Sequence, residues 1–159
     1  MRARDLATEY PVLPLDSDAL DAARLLAEQR LPGVLVLDAA GEPYAILPAS
    51  RLVGLLVPGY VIDDPALAAV IDEPHADRLC RALAGRTVRE CLPREKAVPS
   101  VADPDDTALE VAALMARERS PLVAVVERPG GRSTTATARP RLLGVITASH
   151  LLEQLLGVA

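Results

Sequence analysis

The chain repeats itself. Residues 19–38 read ALDAARLLAEQRLPGVLVLD and residues 108–127 read ALEVAALMARERSPLVAVVE, with nine of the twenty positions identical and no gap. The likeness resumes at AILPASRLV (45–53) against GVITASHLL (144–152). A supersecondary unit used twice constrains the fold strongly. Each copy has an apolar face to bury, and the other copy is the natural cover. The cleft between two such halves is the place to look for a ligand.

Asp16 and Ser17 precede an apolar pattern at Leu20, Ala23, Leu26 and Ala27, which predicts a capped helix running to about Arg30. Pro32-Gly33 stops it, and the unbroken apolar run Val34 to Leu37 reads as a strand buried on both faces. Asp38, Gly41 and Glu42 supply a hairpin turn. Tyr44 to Leu47 returns, and Pro48 opens a second helix to about Val57. The second copy follows suit: Asp103 as cap, Pro104 in the first turn, and helical spacing at Leu109, Ala112, Leu114 and Met115. Strands follow at Leu122 to Val126 and Leu142 to Ile146, then a closing helix from Ala148 to Leu156 ended by Gly157. With short lead-in strands at Pro11 to Leu15 and Ala97 to Val101, each unit is β-α-β-β-α. The fold class is α/β (α+β), with two units packed about a pseudo-twofold axis. The expected division is repeat 1 over 1–60, a helical linker over 61–85 broken near Pro74, and repeat 2 over 86–159. Residues 128–141 lengthen the second hairpin as a polar tip.

Half of the residues are apolar and a quarter charged, which suits a packed core. With three Tyr, no Phe and no Trp, that core must be aliphatic. The net charge of −5, without a Lys/Arg run or an aromatic platform, argues against a nucleic-acid partner. No apolar stretch reaches the roughly 18 to 20 residues of a membrane span, and the opening MRARDLATEY places acids where a signal peptide needs apolar residues. A cytoplasmic protein is expected, with Cys80 and Cys91 as free thiols. No phosphate-cradling glycine motif occurs. Asp72, Glu73, His75, Asp77 and Cys80 match no metal-site spacing, and Cys91 with His75 or His150 lacks an oxyanion loop. Neither a metal site nor an enzyme is expected.

A tandem β-α-β-β-α unit with a strand like LVAVVE and a closing GVITASHLL resembles the cystathionine-β-synthase (CBS) domain, two of which form a Bateman module. The likeness covers almost the whole chain. It is most specific at Gly144 to Leu152, which matches the family's G-h-h-T-x-x-D-h-h motif except at His150. The resemblance implies a regulatory or sensor module, without cofactor requirement or chemistry of its own. Such a module binds AMP, ADP, ATP or S-adenosylmethionine between its repeats, pairs into dimers, and modulates an enzyme or transporter partner. It also assigns roles. Thr147 would contact phosphate or ribose, with His150 at the acid position. Lys96, Ala97, Val98, Pro121 and Leu122 would enclose the base. In the first copy Pro48 and Arg51 stand at the Thr and Asp positions.

These departures have chemical content. A carboxylate accepts two hydrogen bonds from a ribose diol, neutral His accepts one, and Arg accepts none. Cationic or donor groups suit phosphate instead. Because Thr147 is retained, a nucleotide is expected at the second site. A homodimer is expected through the leucines of the closing helices: Leu52, Leu55 and Leu56, and Leu151, Leu152, Leu155 and Leu156. The alternative is an interaction subunit with an empty cleft.

Overall fold

The computed structural model describes residues 1–72, 74, 77–78, 81–95, 99–129 and 139–157. The first half holds a three-stranded sheet of β1 (Val12–Pro14), β2 (Gly33–Leu37) and β3 (Pro43–Pro48), with β2 central. The second half repeats it with β4 (Val101–Ala102), β5 (Leu122–Glu127) and β6 (Arg141–Thr147). In each, the lead-in strand runs parallel to the central one (Val12 opposite Leu35, Val101 opposite Ala124), and the hairpin partner runs antiparallel. A register shift falls at the same place in both, at Val36/Leu37 and Val125/Val126.

Strand alternation explains why the central runs are apolar throughout. Val34 and Val36 point into a core with the helices of the first half, and Val123 and Val125 do so in the second. Leu35 points the other way, to meet Leu122, Ala124, Val126 and Val145 in a third cluster. The two sheets thus pack face to face, as the repeat predicts, and Val34 to Val36 and Val123 to Val126 are buried.

Helices α2 (Ala19–Glu28) and α3 (Ala49–Leu56) cover the first sheet. Short α4 (Gly59–Asp63) follows α3. Among its described residues the linker forms tight 3₁₀ turns at Pro65–Val70 and Arg81–Leu83, with helical residues between them at 74, 77 and 78. Asp64 and Pro65 start the first of these, the Asp64 side chain accepting from the Ala66 amide (3.3 Å). Three helices follow in the second half: α5 (Val88–Cys91), α6 (Ala108–Glu118) and α7 (Ala148–Leu156).

The caps differ from expectation. Asp18, not Asp16 or Ser17, caps α2, and Asp16 instead faces Arg89 (3.4 Å). Thr107, not Asp103, caps α6: its hydroxyl accepts from the Glu110 amide (3.2 Å) and Glu110 accepts from the Thr107 amide (2.7 Å). That reciprocal box satisfies two orphan donors where a lone Asp satisfies one. Asp103 and Asp106 close the turn just before it. Leu26 and Met115 are buried as the pattern suggested, but at the start of each helix the buried face sits one residue earlier. Ala19, Ala22 and Leu26 are buried in α2, and Ala108, Val111 and Met115 in α6, while Leu109 is exposed.

Two short helices missing from the sequence reading tie the halves together. Helix α1 (Ala3–Leu6) begins the chain yet packs Ala3 and Leu6 into the core of the second half. Helix α5 lies beyond the linker yet packs Val88 and Cys91, with Leu83, into the core of the first. The exchange is symmetric. The Ala108 amide donates to Met1 and the Ala19 amide to Arg86. Arg4 pairs with Asp105 as Arg89 does with Asp16. Packing therefore crosses the chain boundaries drawn at 60 and 86: the first residues serve the second half, and 83–91 serve the first.

Candidate functional site

Each hairpin strand leads directly into a helix, so the end of β3 and the end of β6 each present a helix start to the cleft. At the second, Thr147 caps α7, its hydroxyl accepting from the His150 amide (3.2 Å) and lying 3.3 Å from the Ser149 hydroxyl. His150 Nδ1 lies 3.6 Å from Glu153 one turn on. At the first, Pro48 occupies the cap position and offers no side-chain acceptor to α3. The first-turn amides of α3 thus lack the capping group that Thr147 gives α7.

The segments opposite these helix starts also differ. Five residues (7–11) join α1 to β1, and nine (92–100) join α5 to β4. The shorter segment is stitched to β6: the Thr8 amide donates to the Val145 carbonyl (3.0 Å) and the Val145 amide to the Thr8 carbonyl (2.9 Å). The Thr8 hydroxyl adds a third bond to Val145 (3.2 Å). Gly144 permits this approach, since a Cβ there would lie 2.7 Å from the Thr8 carbonyl oxygen. Residues 92–95 of the longer segment stand off β3. Between them lies a cavity of about 450 Å³, with Tyr44 to Pro48, Ser50 and Arg51 on one wall and Leu92, Pro93, Arg94 and Glu95 on the other. A smaller hollow of about 180 Å³ shares Ile46 and Pro48 and continues to Pro99, Ser100, Arg119 and Pro121.

The predicted site residues therefore separate. Arg51 lines the first cavity, and its Nε donates to the Cys91 carbonyl (3.1 Å), which ties the guanidinium to α5. Pro121 lines the adjoining hollow. Leu122 is fully buried between the sheets. Lys96, Ala97 and Val98 lie outside the described residues, but their neighbours Glu95 and Pro99 face Pro48. Glu95 and Pro99 thus lie beside the first copy's motif. Thr147 and His150 line neither cavity. Sequence reasoning missed Arg94 and Glu95. The available signal was the four extra residues before β4.

Cys91 is closed to solvent, and burial pushes its thiol above the usual range. A buried, protonated thiol is a core group and not a nucleophile. His75, Glu73 and Cys80 of the linker cluster lie outside the described residues. Among the described residues, no group of three or more His, Cys, Asp or Glu is placed to hold a metal. A larger cavity, about 540 Å³, lies away from the starts of α3 and α7, between α6 and the edge strand β4. Of its carboxylates, Asp103 and Asp106 close the preceding turn and Glu110 completes the α6 cap.

A duplicated β-α-β-β-α pair, with exchanged lead-in helices and a ligand-sized groove at one helix start, defines the class of protein. Comparison with family models and with curated protein sequences returns no match. Solved structures do match. A CBS domain-containing protein of unknown function from Kribbella flavida is 50% identical over 98% of this chain and 99% of its own, with a TM-score of 0.79. CBSX2 from Arabidopsis thaliana, a CBS-pair protein, is 17% identical over 99% of this chain and 95% of its own, at a TM-score of 0.70. CBSX2 in complex with AMP is 18% identical over 99% and 97%, at 0.64. The last two likenesses are of fold. The first, at half identity over the full length, places the chain in the CBS-domain family.

Proposed function

We propose that the chain is a regulatory Bateman module that binds an adenosine nucleotide in the first-half cavity and modulates a partner protein. The observation that carries this reading is the cavity itself. Its roughly 450 Å³ falls within the size range of small-molecule pockets, and it lies where the family's sugar- and phosphate-contacting positions fall, at Pro48 and Arg51. CBSX2 crystallised with AMP supports the ligand class. No catalytic step is assigned to the chain.

The partner is proposed from the surface. Leu152, Leu155 and Leu156 of α7 and Val53 of α3 are exposed, and they support a homodimer or a docking face for an enzyme or transporter. Leu52 and Leu151 are withdrawn from that interface because each is buried in its own half's core. No helix among the described residues is long and apolar enough to cross a membrane.

A second reading, an interaction subunit without ligand, draws on one observation: neither half keeps both the hydroxyl and the carboxylate of the family motif. Thermal unfolding with AMP, ADP, ATP and S-adenosylmethionine separates the two. A bound nucleotide at a hundred times its Kd should stabilise the fold by about 2.7 kcal/mol. No shift with any of the four would leave the interaction reading standing.

A further inference from the structure

We infer that this chain takes one phosphate-bearing ligand, in the first groove alone, and that Arg51 selects it. The inference rests on the nucleotide reading above and narrows it. Aligning α1 with α5 places Pro93 where the second groove has Thr8, and the strand repeat places Ala45 and Ile46 where it has Gly144 and Val145. Every element that stitches the second groove is changed in the first. Pro93 has no N–H with which to pair the strand. Ala45 carries the methyl group that Gly144 omits to let the Thr8 carbonyl approach. The nine-residue segment has the slack to stand away, and the five-residue one does not. In the second half the chain's own backbone holds the strand edge, and in the first that edge borders an open cavity.

The charges of the cavity then set its preference. Among the described lining residues, Arg51 and Arg94 are cations and Glu95 is the one anion. Arg51 stands where a diol-accepting carboxylate would recognise ribose, and a guanidinium can only donate. Its bond to the Cys91 carbonyl orients the fork, so little ordering remains when an anion arrives. The α3 start beside it adds amides without a side-chain cap.

The test is calorimetry on the full chain with adenosine and ADP, for the native protein, Arg51→Ala and Arg94→Ala. The expected result is one site per chain, with ADP bound at least about tenfold tighter than adenosine, the scale of one charge-assisted hydrogen bond. Arg51→Ala should lose about that factor for ADP and leave adenosine unchanged. Arg94→Ala, which does not touch the Cys91 tether, should lose a smaller factor and so separate charge from folding. Equal affinity for adenosine and ADP, or an ADP affinity indifferent to Arg51, overturns the inference and leaves nucleotide binding intact. Two sites per chain overturns the single-groove claim. No heat with either compound overturns the nucleotide reading itself.

Discussion

The two halves share strand order, helix order and even the position of a register shift, yet they differ beside the starts of their closing helices, where the ligand groove is proposed. The second half is tighter. Its lead-in segment is short, its hairpin strand carries Gly144, its closing helix is capped by Thr147, and Thr8 is bonded to its edge. The first half replaces these with a longer segment, Ala45, Pro48 and Pro93, and a cavity opens. The half that keeps the family's Thr uses it as a helix cap, and the groove proposed for the ligand lies in the other half.

The exchanged helices offer the largest effect. Leu6 and Cys91 occupy equivalent places, each fully buried in the opposite half's core. Leu6→Ala should cost about 2–5 kcal/mol in urea unfolding, and Cys91→Ala about 1 kcal/mol, in line with the atoms removed. Equal costs would mean that α1 does not consolidate the second half as its packing indicates.

Next is the strand edge. Gly144→Ala drives a methyl group against the Thr8 carbonyl and should destabilise by about 1–3 kcal/mol. The mirror change, Ala45→Gly, should cost only about 0.5–1 kcal/mol, through backbone entropy. Hydrogen exchange should show the Val145 amide losing protection in the first variant alone. Retained protection would mean that Gly144 is not what admits Thr8.

The smallest effect is alkaline. Burial raises the Cys91 thiol above its ordinary 9.0, and the leucine at the equivalent place in the second half does not titrate. The folded state holds a proton that the unfolded chain releases. Its contribution is therefore complete below about pH 9 and is lost as the pH rises through the folded value. Burial raises Tyr10 from 10.0 in the same sense. Stability followed by denaturant titration should be level through neutral pH and fall above 9. Cys91→Ala should remove the earlier part of that fall.

Much of this was legible in the residues. The closing helix runs from Ala148 to Leu156 as its pattern predicts, and the buried central strands were plain from their unbroken apolar runs. The exchanged helices were not. Ala3-Arg-Asp-Leu6 and Val88-Arg-Glu-Cys91 match in character but are only four residues long, and they lie at a different spacing from the main repeat. The caps were misplaced because Asp16, Ser17, Asp103 and Thr107 all carry capping chemistry, and backbone geometry chooses among them. Of the groove proposed for the ligand, Arg51 was legible through the motif, but Arg94 and Glu95 needed the knowledge that α5 returns to the first half, which only tertiary packing supplies.

Whether the grooves are unequal is decided by a crystal structure of the protein soaked with ADP. The predicted result is one ADP per chain, with its phosphates beside the Arg51 guanidinium and the Thr8–Val145 pairing intact. ADP beside Thr147, or in both grooves of one chain, would contradict it.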